Sequence, residues 1–169
     1  MITTETISSA TTTALRNPLV VPAGTGQFVE LGDHRGYAKL TTRNSGAFLL
    51  SETEADPQGG VPPHIHTRED ETFYILSGRF TFWVGDRTIE AETGDAIFAP
   101  RHIPHAWRCV SAEGGRMLIL FTPGDNFEAF AFEMAQRGAN PAADMADPAT
   151  IAEFMALAER YGITMLPPK

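Results

Sequence analysis

His64 and His66 stand one residue apart, the acids Glu69, Asp70 and Glu71 follow directly, and His105 comes later behind Pro100 and Pro104. Side chains two apart on a strand project to the same side about 7 Å from one another, close enough for two imidazoles to converge on one metal ion. Glu71 is the harder residue to place, because it leads into the apolar run Phe73 to Leu76. If Ser77 and Gly78 form a two-residue turn, Ile75 faces Phe80, Phe73 faces Phe82 and Glu71 faces Val84. One side of that hairpin is then apolar except for Glu71. The other carries Thr72, Tyr74, Arg79, Thr81 and Trp83, the mixed composition of an outer surface. A buried, unpaired carboxylate is costly, so Glu71 must be protonated, ion-paired or bound to a cation. The two histidines supply the cation option, and the segment GDAIFAPRHIPHAWRC adds His105 at the start of a strand. Three imidazoles and a carboxylate suit a borderline first-row divalent ion: iron, manganese, nickel, cobalt, copper or zinc. Asp70 is the fallback ligand if the register slips by one.

Such a cluster needs a framework. With 169 residues, 43% of them hydrophobic, the chain is long enough for one domain with a substantial core. A net charge of −8 disfavours nucleic acid, whose phosphates are bound by excess Lys and Arg. The lone Cys109 excludes an intramolecular disulfide and fits a reducing cytoplasm. No apolar run reaches the roughly 18 to 20 residues that span a bilayer, and the stretch MITTETISSATTTALRN lacks the order of a secretory signal. A cytoplasmic protein bound neither to membrane nor to nucleic acid is therefore expected.

Residues 1–16 are rich in Thr, Ser and Ala and are expected to form a flexible arm. From Pro18, short runs of strand type alternate with turn residues: PLVV, QFVEL, GYAKLTT, GAFLLSE, ETFYILS, RFTFWV, RTIEA, DAIFA, HAWRCV and RMLILFT. This spacing predicts an all-β antiparallel sandwich or barrel over residues 17–125. A second tight turn at Gly85 and Asp86 sets Ile89 opposite Phe82 and Ala91 opposite Phe80. Beyond it, Phe127, Phe130, Ala131 and Met134 recur at helical spacing. A further helix opens with Asp147 as cap and Pro148 at its first position and stops at Gly162. Residues 126–169 are thus read as a helical extension packed on the barrel, with the loop RGANPAADMADP inside it.

These residues resemble the cupin superfamily, whose motifs are G-x5-H-x-H-x3,4-E-x6-G and G-x5-P-x-G-x2-H-x3-N. His64, His66, Glu71 and Gly78 match the first, with Gly59 one place nearer the histidines than the motif has it. Gly94, Pro100 and His105 match the second, where His102 replaces a glycine and Cys109 the closing asparagine. Histidine is among the residues that best tolerate a positive φ at such a glycine position. The resemblance implies a double-stranded β-helix, or jelly-roll, barrel with one divalent metal held by His64, His66, Glu71 and His105. It also implies a homodimer, since barrels of this kind often pair through sheet edges.

An open metal position in an apolar cup lined by Phe73, Ile75, Phe80 and Phe82, with Trp107 on the strand face of His105, would suit a flat oxygenated molecule. The segments VPPHIHTREDETFYILSGRFTFWVGD and LAERYGITMLPP resemble small bacterial proteins similar to quercetin 2,3-dioxygenase. That likeness implies a metal-dependent dioxygenase acting with O2 on a flavonol-like aromatic, with Glu71 as catalytic base. Other metal-dependent chemistry on aromatic or polyketide-like compounds, by an isomerase, cyclase or hydrolase, is the alternative, as is a non-catalytic binding cupin. Elsewhere, His34 and His102 read as structural or surface residues, Glu69 and Asp70 as solvated, Arg101 and Arg108 as surface cations, and Cys109 as a small buried hydrophobe.

Overall fold

Inward-facing apolar residues spaced two apart need a second layer to bury them, and the strands form two facing sheets. The computed structural model describes residues 18–30, 33–137 and 148–167. Its strands are β1 (Gln27–Glu30), β2 (His34–Leu40), β3 (Leu49–Ala55), β4 (Gly60–His66), β5 (Asp70–Ser77), β6 (Arg79–Val84), β7 (Arg87–Glu92), β8 (Ala96–Ala99), β9 (His105–Cys109), β10 (Gly115–Thr122) and β11 (Ile163–Met165). Helix α1 (Thr42–Ser45) lies between β2 and β3, and α2 (Asp125–Gln136) and α3 (Pro148–Arg160) follow β10. One sheet runs β1-β2-β3-β10-β5-β8 and the other β11-β4-β9-β6-β7, with antiparallel pairing throughout. This is the all-β jelly roll that the sequence predicts, with short helices after it.

The β5–β6 hairpin does not form. β5 pairs with β10 and β8, whereas β6 pairs with β7 and β9 in the other sheet. The chain crosses between sheets at Gly78, whose φ is +87° and where a side chain would stand 2.9 Å from the Gly114 carbonyl oxygen. A crossing keeps the same residues inward as a hairpin would, so Phe73 and Phe82 still meet, with ring centroids 4.9 Å apart, across the core instead of along one sheet. The turn at Gly85 and Asp86 does form, pairing Phe82 with Ile89 and Phe80 with Ala91.

The segment PLVV is not a strand, and β4, β11 and α1 are elements that periodicity does not announce. β4 contains Pro62 and Pro63, which lack the N–H that a ladder uses, and its register against β9 shifts between Val61 and His64. β11 has only three residues, yet it pairs Ile163 with His66 and Met165 with His64. The helices bury Phe130, Met134, Leu157 and Ala158 with Ile163 in a second apolar cluster, and Phe127 packs on both clusters. Pro148 opens α3 and Gly162 follows its end in the left-handed conformation. The arm at residues 1–16, the cap Asp147 and most of the link RGANPAADMADP lie outside the described residues. No helix among them is long and apolar enough to cross a membrane.

Candidate metal centre

Three strands from two sheets converge on one buried point. β4 and β9 set His64 directly opposite His105, His66 is the next inward residue of β4, and Glu71 reaches across from β5 in the facing sheet. One ligand atom from each of His64, His66, Glu71 and His105 lies within 4.8 Å of all the others, and all four residues are buried. Ring centroids are 4.3 Å apart for His64 and His105, and 4.9 Å for His64 and His66.

The outer nitrogen of each ring decides what the inner one presents. His64 Nδ1 lies 2.9 Å from the Pro62 carbonyl, His105 Nδ1 3.0 Å from the Ile103 carbonyl, and His66 Nδ1 3.1 Å from Glu69 Oε2. Carbonyls and carboxylates only accept, so each Nδ1 carries the hydrogen and each Nε2 turns a lone pair inward when the ring is neutral. His64 Nε2 and His66 Nε2 are 3.2 Å apart, Glu71 Oε1 is 3.0 Å from His66 Nε2, and His105 Nε2 is buried without a hydrogen-bond partner. Acceptors gathered with no donor call for a cation, and the nitrogen and oxygen set fits a divalent transition metal.

Without a metal, a proton takes that place. Burial pulls the His66 pKa down, but the Glu71 charge and the hydrogen bonds to Glu69 and Glu71 outweigh it and push it up to about 9. Burial and the neighbouring His105 and His66 push His64 down to about 3. Burial opposes ionisation of Glu71 too, yet His66 and His105 hold its carboxyl well below the usual carboxylate range. Metal must therefore displace the His66 proton. Apparent metal affinity should rise about tenfold per pH unit as pH climbs toward the raised His66 value, and then level off. Calorimetry in buffers of different ionisation enthalpy at pH 7 should count about one released proton; a count of zero would contradict this assignment.

Glu69 is not solvated, as its place in an acidic run suggests, but fully buried. Its Oε2 accepts from His66 Nδ1 and its Oε1 from Asn126 Nδ2 of α2, while Asn126 also donates to the Tyr161 carbonyl at 2.7 Å. Strand alternation sends Asp70 outward instead, where both its oxygens engage Arg101, so it is no alternative ligand. Glu69 thus fixes the orientation of His66, and the signal for it is the three-residue step from a ligand histidine across a turn. Glu69→Gln keeps the shape but leaves only one acceptor for two donors. It should weaken metal binding by about 10- to 100-fold in a chelator competition, and an unchanged affinity would remove Glu69 from the site. His102 has φ +66° and donates its N–H to the His66 carbonyl at 2.7 Å, so the second-motif glycine position does need a left-handed residue. Cys109 is buried, as a small hydrophobe would be.

A cavity of about 290 Å³ opens beside the cluster, walled by Trp107, Phe121, Phe127, Phe130 and Met165, with His64, His66 and Glu71 at one end. No Lys or Arg lines it among the described residues. Phe73, Ile75, Phe80 and Phe82 do not line it either; these four fill the core. The side chains of β5 and β6 meet one another across the sandwich, and the space is left instead between β1–β4 and α2. Trp107 does line the cavity, as does His34, which is buried and stands edge-on to Trp107 at 5.3 Å.

Residues 51–121 match the family model described as Cupin domain. An uncharacterized protein of Streptomyces coelicolor is 28% identical over 95 residues, which cover 56% of this chain and 84% of that protein. Among solved structures, KdgF from Halomonas sp. superimposes with a TM-score of 0.58 at 18% identity, over 66% of this chain and 98% of that one. The polyketide cyclase RemF from Streptomyces resistomycificus superimposes with a TM-score of 0.55 at 27% identity, over 63% of this chain and 80% of that one. The buried cluster of His64, His66, Glu71 and His105 thus lies within the stretch that matches the cupin domain, on a two-sheet jelly roll.

Proposed function

We propose that this protein is a metal-dependent cupin enzyme of flat, enolisable aromatic compounds, and that its reaction is a flavonol-type oxygenation by O2. The observation that carries this reading is the opening of an all-acceptor cluster into an aromatic-walled cavity without a basic side chain. Such walls favour a planar apolar body and offer no clamp to a phosphate or polycarboxylate. A divalent transition metal, when bound by His64, His66, Glu71 and His105, supplies Lewis acidity toward a substrate hydroxyl and, for the redox-active ions, reactivity toward dioxygen.

The chain's own residues do the remaining work. Glu71 is the one carboxylate among the four. Held ionised by His66 and His105, it is the group able to take the proton from a substrate hydroxyl presented at the cluster. Phe121 and Phe127, stacked with centroids 3.7 Å apart, and Trp107 flank the space and exclude water from it. The test is anaerobic titration with 3-hydroxyflavone, whose anion absorbs at longer wavelength than the neutral form. The wild-type protein should generate the anion and Glu71→Gln should bind without generating it; anion formation in the variant would remove the base from its role.

The likeness to a polyketide cyclase at 27% identity favours a second reading, in which the same proton removal starts a ring closure. Oxygen uptake separates the two. Consumption of O2 with a flavonol supports oxygenation, turnover of a polyketide-like substrate without uptake supports cyclisation, and tight binding without turnover of either would make this a binding protein.

A further inference from the structure

The cavity has a second polar end that the proton transfer does not use. His34 of β2 and Ser51 and Thr53 of β3 line it together from the six-stranded sheet. Their register sets Thr53 opposite Gly36 and Ser51 opposite Ala38. A side chain at position 36 would crowd this end, since a Cβ there would stand 2.9 Å from Ser51 Oγ and 3.8 Å from Thr53 Oγ1. The absence of one leaves both hydroxyls open to the cavity. Neither hydroxyl makes a hydrogen bond to protein among the described residues, and neither does His34 Nε2. Among the described residues only His105 Nε2 is a buried side-chain polar atom without a hydrogen-bond partner, so these three groups stand open to the cavity, where a ligand's hydroxyl can reach them.

His34 is built to accept. Its Nδ1 lies 2.9 Å from Asp33 Oδ1, and the other Asp33 oxygen takes the Gly60 N–H at 3.3 Å. A carboxylate partner fixes the hydrogen on Nδ1 and leaves the Nε2 lone pair free. The ring is also pinned edge-on against Trp107. Trp107 and His105 are successive inward residues of β9, about 7 Å apart along the strand. His34 therefore lies beyond Trp107 from the metal centre, with aromatic wall between the two polar ends.

We infer that Asp33 and His34, with the hydroxyls of Ser51 and Thr53, form a second recognition site that accepts hydrogen bonds from hydroxyl groups on the end of an aromatic substrate remote from the metal centre. This rests on the reading of the cavity as an aromatic site and narrows it. The preferred substrates are linked or fused aromatics carrying hydroxyls at both ends, one presented to Glu71 and another to His34. Singly hydroxylated analogues leave the distal acceptors unmatched and bind more weakly.

Anaerobic binding to the zinc-loaded protein, followed by quenching of tryptophan fluorescence, tests this with three probes: 3-hydroxyflavone, 3,7-dihydroxyflavone and 3,4′-dihydroxyflavone. At least one dihydroxy compound should bind the wild type about tenfold more tightly than 3-hydroxyflavone. In His34→Leu that ratio should collapse to about twofold or less, and in His34→Gln, which keeps an acceptor, part of it should return. Far-ultraviolet circular dichroism of both variants checks that they fold, and His34→Gln carries the comparison if His34→Leu does not. Equal binding of all three probes by the wild type, or a ratio that survives His34→Leu, overturns the distal site and leaves the aromatic reading standing. Failure of the wild type to bind any probe overturns both.

Discussion

Alanine at His105 is expected to cost more than a hundredfold in divalent-metal affinity while the metal-free fold stands. The loss should exceed the 10- to 100-fold typical of outer-shell partners, because a ligand itself is removed. Stability should change little, for a reason specific to this side chain. His105 Nε2 makes only a long contact, 3.5 Å to Glu71 Oε2, and no hydrogen bond, while the ring's protein hydrogen bond runs from Nδ1 to the Ile103 carbonyl. Truncation thus deletes a buried acceptor without a hydrogen bond, which favours the fold, together with packing and the long contact to Glu71, which oppose it. His66→Ala would behave differently, since it also strips the buried Glu69 of a donor. Competition against a chromophoric chelator reads the affinity, and thermal melting in EDTA reads the fold. A loss of less than about tenfold, well short of a ligand's contribution, would take His105 out of the coordination set.

Phe73→Ala carries the largest expected effect on stability. Phe73 is fully buried and packs on Phe82 from the opposite sheet, so truncation leaves a void in the seam that joins the two layers. Such changes cost about 3 to 5 kcal/mol, which in a domain of this size lowers Tm by roughly 6 to 20 °C. The same substitution should barely alter flavonol binding, because Phe73 does not line the cavity. Trp107→Leu should do the reverse and weaken ligand binding more than it lowers Tm. A Phe73→Ala protein that melts normally but binds ligand poorly would return Phe73 to the pocket.

The contrast between Phe73 and Trp107 shows what the sequence could and could not reveal. Alternation along a strand tells which residues face inward, and Glu71, Phe73, Ile75, Phe80 and Phe82 are all buried as alternation requires. It does not tell which sheet a strand joins. The presumed hairpin partners therefore face each other across the sandwich, and residues expected around a substrate fill the core. His64, His66, Glu71 and His105 were legible because ligand types at fixed offsets beside turn glycines form a local pattern. Glu69 was not, since its burial depends on Asn126 of α2, an element far along the chain. His34 escaped for the same reason: its neighbour Trp107 belongs to the opposite sheet.

The pairing of β11 with β4 ties the imidazole-bearing strand to a neighbour from far downstream. While this chain is being synthesised, the backbone of His64 and His66 has one flank open until Ile163 to Met165 leave the ribosome. Products of premature termination in the helical region would present that flank to one another, and open strand edges seed aggregation. Quality control should therefore meet such fragments as insoluble material, not as weakened versions of a working protein.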